Sequence, residues 1–391
     1  MEIPTESLSF TLVDDVYALG EEWDLLVKDN VFLKHPFLSI IQDSPLESIK
    51  QHYIKVYHGN TLKGVIVLQL KHFQLKESLR KEKKASNIFQ KVAQWIKFQL
   101  SGFVDYRIMV VGNLLLTGNY GYHLDDSIPK AEEKELIDRA INYALDDFKK
   151  RKLKISGILL KDYNEDLRLK PDSEIGSKYV EFKVQPGMHM EIRPHWDTME
   201  AYMSDMKSKY RVRIKSALKA ITPIDKKILT LEEIKELEPT LHQLYSNVSE
   251  GAGFNMFLLG ADYFYQLKSK LKDKVEIVGY FLEGKLVGFY SAVENNGHLD
   301  AHFLGYDPEY NRSLKLYLNM LIGLTSFAIE KKMHCIQMSR TAMAIKSSVG
   351  AVSTEYYLYL NARGHWKNKL ADRLLAYFIP EDKWEARHPF K

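Results

Sequence analysis

A chain of 391 residues is long enough for two domains that each bury a core of their own. Hydrophobic residues make up 45% of it and charged residues 27%, the balance of an ordinary globular protein rather than a disordered or fibrous one. The net charge of +4 is small for this length and gives no reason to expect DNA as a partner.

The opening MEIPTESLSF has no basic segment followed by an apolar one, so no secretory leader is expected there. No apolar run in the chain is long enough to span a bilayer, and the expected location is cytoplasmic. LSFTLVDD (8–15) predicts a strand, and 16–27 an amphipathic helix. Pro36 breaks a short apolar segment over 32–41. HYIKVYHGNTLKGVIVLQLKHF (52–73) predicts a hairpin that turns at Gly59-Asn60. Residues 76–100 read as a basic helix. DYRIMVVGN (105–113) reads as a buried strand leading into the glycine-bearing loop 112–126. A helix over 131–151 and the strand ISGILLKDY (155–163) follow. A Pro-Gly pair at Pro186-Gly187 separates two strand-like runs, YVEFKV and MHMEIR. The expected domains are therefore 1–185 and 186–391.

The second half opens with an expected helix over 197–221, capped by Asp197 or Thr198. Met203, Met206, Tyr210, Ile214, Ala217 and Ile221 form its apolar stripe. Lys207, Arg211, Lys215 and Lys219 recur every fourth residue beside it. A strand at KKILTL (226–231), a helix over 232–247, a loop over 249–257 and a helix over 262–272 come next. Residues 275–351 organise the half: a strand pair around EGK (283–285), a third strand ending at Asp307-Pro308, a helix over 314–331, and a short buried strand at MHCIQMSR. Cys335 in that strand is the only cysteine, which excludes a disulfide framework and a cysteine zinc site, and it reads as a buried thiol. The tail 365–379 predicts a last amphipathic helix carrying Trp366, Leu370, Leu374 and Phe378. Such a stripe most often packs on its own domain, and a peripheral membrane contact is the other reading. The order of elements before residue 185 largely repeats the order after it, without similarity of residues, so two structurally related halves are expected.

Phosphate loops, zinc helices, nucleophile elbows and calcium loops are all missing from the sequence. Gly251-Ala252-Gly253 starts like a dinucleotide fingerprint, but Met256 stands where the third glycine belongs. No metal site is expected.

The three antiparallel strands, helix and strand of 275–351 resemble the central part of a GNAT acyltransferase. MKSKYRVRIKSALKAI (206–221) resembles the R-x-x-I-x-x-A helix of FemAB-type transferases and of acetyltransferases labelled BioF-like. HFLGYDPEY resembles that family's third-strand ending, RTAMAIKSSVGA (340–351) its late K-x-x-x-G segment, and GNLLLTG (112–118) the corresponding loop of the first half. The resemblance implies an α/β (α+β) fold of two tandem GNAT-like domains. Each would be a mixed, mostly antiparallel sheet flanked by helices, with the working cleft in the second.

It also implies roles. Arg211 would face the acceptor or its phosphates, with Ile214 and Ala217 packing beneath. The first turn after the third strand would hold the pyrophosphate of acyl-CoA through Asn311, Arg312, Ser313 and Lys315. This stretch, PEYNRSLK, lacks the glycines that let backbone N–H groups reach a pyrophosphate, so its cations would have to substitute for them. Lys215, Arg340 and Lys346 would hold substrate. For proton transfer the candidates are His302, Tyr306 and Asp307. Were Asp300, His302 and Leu304 to alternate onto one face, His302 and Asp300 would share a cleft; a structural histidine is the commoner alternative. The activity implied is N-acyl transfer from a thioester to an amine of a small molecule or cell-envelope precursor. The alternatives are an aminoacyl transferase that uses aminoacyl-tRNA, and a binding protein on a degenerate GNAT fold.

Overall fold

A computed structural model describes residues 3–46, 48–73, 106–251, 257–378 and 384–391. The basic stretch 76–100 and Gly253 of the Gly251-Ala252-Gly253 run lie outside the described residues.

The chain divides into two compact units, Met1–Val184 with Glu355–Glu381, and Gln185–Thr354 with Asp382–Lys391. The expected second domain, 186–391, is thereby corrected. Residues 355–381 belong to the first unit, and the chain crosses between units three times.

In the first unit the strands are β1 (Leu8–Val13), β2 (Ile49–His58), β3 (Thr61–Phe73), β4 (Tyr106–Val111), β5 (Tyr122–Leu124), β6 (Gly157–Tyr163) and β7 (Val180–Lys183). His58 pairs with Thr61, so β2 and β3 turn at Gly59-Asn60 as the sequence predicts. Strand β15 (Tyr357–Asn361), from the far end of the chain, slots between β6 and β7. The sheet order is β1-β2-β3-β4-β6-β15-β7, with β5 on β3. Alternation along β3 serves both faces. Ile66, Leu68 and Leu70 pack with Leu136, Ala140, Ala144 and Phe148 of the helix Glu133–Lys150, while Val65 and Val67 pack with Trp23, Leu33 and Tyr53.

The second unit continues with β8 (Gly187–Glu191), β9 (Ile224–Ile228), β10 (Val275–Leu282), β11 (Lys285–Asn295), β12 (His298–Tyr306), β13 (Cys335–Gln337) and β14 (Val352–Thr354), in the order β14-β8-β13-β12-β11-β10-β9. Glu283 and Gly284 both have positive φ and close a two-residue hairpin. The helix Leu316–Glu330 is buried almost all round, as its near-continuous apolar sequence requires. It shares one core with Ile214 and Ala217 of the helix Ser208–Ala220, with Ile221 at that helix's C-cap, and with Leu299 of β12. The single helix expected over 197–221 is two, Met199–Asp205 and Ser208–Ala220. The break falls where Met206 bridges to Phe390 and Lys207 donates its N–H to the Pro389 carbonyl. Thr198, not Asp197, caps the first, its Oγ1 accepting the Ala201 N–H. Against the other face of the sheet lie Glu238–Gly251, which packs on β12, and Tyr263–Leu271, which packs on β10.

Candidate active site

β12 and β13 run parallel, but their ladder covers only His298–Cys335, Leu299–Ile336 and Asp300–Gln337. Beyond it β12 continues to Tyr306, paired with β11 alone. The segment after β13 is drawn toward β8: Met338 N–H donates to the Met188 carbonyl at 2.7 Å, and Met188 N–H to the Ser339 carbonyl at 2.9 Å. The two strands therefore part, opening the ladder between Ala301–Tyr306 and the turn 338–342.

A bulge shapes the β12 side of that opening. The register steps from Tyr290–Leu304 to Ala292–Ala301, so His302 and Phe303 together oppose Ser291. The Ser291 hydroxyl satisfies the bulge, accepting the Phe303 N–H at 3.0 Å and donating to the Phe303 carbonyl at 2.8 Å. The extra residue inverts the alternation. Leu299 and Ala301 before it, and Leu304 and Tyr306 after it, all pack on the core that holds Leu316–Glu330. The expected shared face of Asp300, His302 and Leu304 is corrected accordingly, since Leu304 faces the other way.

His302 is 6% exposed. Its Nε2 lies 2.6 Å from the Tyr263 hydroxyl, and the rings stack. Burial raises the Tyr263 pKa well above the usual phenol value, so the tyrosine donates and Nε2 accepts. Nδ1–H is left on the side of Asp300, whose Oδ1 is 3.7 Å away, too far for a direct hydrogen bond. His302 is thus built into a buried Tyr–His–Asp row rather than presented as a free base.

Asp307 is an N-cap. Its Oδ1 accepts the Glu309 N–H at 3.0 Å at the head of a short helix, Pro308–Leu314. Asp307→Ala is expected to cost the unit about 1 kcal/mol, read as a lower urea midpoint; an unchanged midpoint would show that the cap carries no weight. Tyr306, half-buried, faces Tyr317 with ring centroids 6.2 Å apart, and burial raises its phenol pKa.

The helix expected to start at Leu314 starts at Leu316, after Lys315 in the left-handed conformation (φ +50°). Its first turn is closed from within. Asn311 Oδ1 accepts the Tyr317 N–H at 3.0 Å, and Asn319 Nδ2 donates to the carbonyls of Leu314 and Ala217, both at 3.0 Å. Asn311 is therefore a cap, Arg312 and Ser313 are exposed, and Lys315 Nζ donates to Ser216 Oγ at 2.7 Å. That bond sets Lys315 beside the cationic helix, where Lys209, Arg213, Lys215 and Lys219 are exposed and Arg211 is half-buried. Ile214 and Ala217 are buried.

On the far side of the opening, Arg340 Nε donates to the Gln185 carbonyl at 2.8 Å. Lys346, expected to reach a substrate anion, is instead 5% exposed, and its Nζ donates to the carbonyls of Met338 and Arg340. Those carbonyls belong to a turn in which Ser339, Thr341 and Ala342 all have positive φ (56°, 67° and 49°). Each such residue costs roughly 1–3 kcal/mol, and they recur where a site needs an unusual backbone. Sequence reading missed this turn, the Ser291 bulge and Tyr263. Only Gly305, a glycine inside a strand, gave a local signal of close backbone approach.

The matching place in the first unit is filled. β4 and β6 stay paired up to Val111–Leu160. Buried Lys161 then donates to the Leu116 carbonyl at 2.6 Å and pairs with Asp162, which also accepts the Gly118 N–H at 3.0 Å. Among the described residues no cluster of three or more His, Cys, Asp or Glu could hold a metal.

No protein-family profile matches the sequence, and no curated protein does. Solved structures do match. FemX superposes with a TM-score of 0.50 at 12% identity, over 92% of this chain and 96% of its own. A tandem GNAT protein from the clavulanic acid biosynthesis pathway superposes with a TM-score of 0.50 at 10% identity, over 92% and 99%. The fold is a tandem GNAT-like α/β fold of the FemAB type.

Proposed function

We propose that the protein is an N-acyltransferase whose donor thioester lies in the opening between β12 and the turn 338–342. The parting of the strands after Asp300 and Gln337 carries this reading. Phe303 N–H and Asp307 N–H are both directed to β11, so alternation turns the Leu304 N–H the other way, toward the opening. There it would donate to the thioester oxygen as negative charge develops on it during attack by the acceptor amine. Tyr306, its phenol held protonated, would supply a proton to the departing thiolate, and the phenolate so formed would take the proton that the attacking amine gives up. Acyl-CoA is the favoured donor, and the acceptor an amine on a small molecule or envelope precursor.

One observation favours a second donor. Asn311 already occupies the helix-start amide of Tyr317, while the cations beside it are exposed, an arrangement suited to aminoacyl-tRNA phosphates. Titration separates the two. At about 100 Kd of acyl-CoA, stabilisation of about 2.7 kcal/mol is expected, a rise in Tm of roughly 5–10 °C for a unit of this size. No shift with any acyl-CoA, together with salt-sensitive tRNA binding, would move the assignment to the aminoacyl reading. Inertness to both would end the transferase proposal.

A further inference from the structure

The helix His365–Phe378 of the first unit packs on β7 and β15. Asn368 locks its orientation, accepting the Ala362 N–H at 2.7 Å and donating to the Lys178 carbonyl at 2.9 Å. With the inner face so fixed, Trp366 and Leu370, one turn apart, point outward at 66% and 38% exposure. Around them stand Arg363, Lys367, Lys369 and Arg373, with Asp372 the one carboxylate of the helix. None of these four cations is ion-paired among the described residues, and Lys367 Nζ lies 5.8 Å from the Trp366 ring centre. Among the described residues, no helix is long and apolar enough to cross a membrane.

We propose that this face docks on an anionic bilayer surface, with Trp366 and Leu370 entering the interface and the four cations meeting lipid headgroups. An outward tryptophan beside a leucine is the apolar half of an interfacial helix, because an indole carries an apolar body and one polar tip. The unpaired positive rim is the other half, and it selects this occupant: an anionic surface attracts each lysine or arginine near it, while a neutral apolar partner would gain nothing from them. The proposal is independent of the donor.

The test is co-sedimentation of the full chain with vesicles of phosphatidylglycerol mixed into phosphatidylcholine, against phosphatidylcholine alone. Binding to the anionic vesicles, weakened by salt, is expected. Trp366→Ser combined with Leu370→Ser should lower partitioning about tenfold or more. Lys369→Glu with Arg373→Glu should abolish the preference for anionic lipid. All four side chains are exposed, so thermal melts of these variants should match the parent and exclude misfolding. No binding by the parent, or binding by both variants equal to the parent's, overturns the proposal. So does a concentration-dependent dimer that the Trp366 and Leu370 changes dissolve, which would give the face to a second copy of the chain.

Discussion

Gly305→Ala is expected to lower the melting temperature of the second unit by roughly 6–12 °C, the equivalent of about 3 kcal/mol for a unit of this size. A Cβ at Gly305 would stand 2.4 Å from the Tyr245 nitrogen and 2.5 and 2.7 Å from the Leu244 carbonyl carbon and oxygen. All three are backbone atoms of Glu238–Gly251, so no rotamer change can relieve the contact. The helix must lift as a body. Lifting it strips Tyr245 from Phe303, where the rings now meet edge to face at 5.6 Å. Overpacking of that kind typically costs 1–3 kcal/mol where side chains can yield, and backbone against backbone falls at the upper end. Calorimetry of the variant checks this; a shift of less than about 2 °C would mean the helix glides freely over β12.

The second large effect is on pH dependence, through Lys346. Burial pulls its pKa down from 10.5 to about 7, and no carboxylate among the described residues offsets the lost hydration. Between those two values the unfolded chain holds a proton that the folded one has released. Stability of the second unit should therefore rise as pH increases from about 7 toward 10.5, and below 7 the full cost of a buried ammonium is present. The maximum is about 5 kcal/mol, and the two carbonyl contacts reduce it by favouring the charged form. Lys346→Met should abolish this slope in urea titrations across the pH range. It should also free the turn 338–342 from its anchor, read as faster amide exchange at Arg340 through Ala342. A variant with the parent's slope would show that Lys346 is not its source.

Local signals in the sequence were reliable wherever the cause of structure is local. Gly59-Asn60 and Glu283-Gly284 announce their hairpins, and the apolar residues that recur at helical spacing over 316–329 announce a central helix. The resemblance around 206–221 correctly gave Ile214 and Ala217 as packing residues. Other features depend on contacts far apart in the chain. Tyr357–Asn361 becomes a strand only because β6 and β7 offer it edges from nearly two hundred residues away. The inversion of side chains along β12 depends on the Ser291 hydroxyl, which no periodicity encodes. Lys346, given by the resemblance as a substrate contact, is instead buried, because a turn upstream supplies the carbonyls that a buried ammonium needs. Asn311, given by the resemblance as a pyrophosphate contact, is instead held by a second helix that begins five residues later and whose Tyr317 N–H needs its oxygen.

The late arrival of β15 has a consequence for synthesis. A ribosome that has delivered residues 1–184 has released seven strands of the first sheet, but the gap between β6 and β7 stays open until Tyr357–Asn361 emerges. Throughout translation of the 170 residues from Gln185 to Thr354, the nascent first unit carries two unzipped edges. Neither unit can be cut out as one continuous piece, and the terminal residues are the last stitch in both.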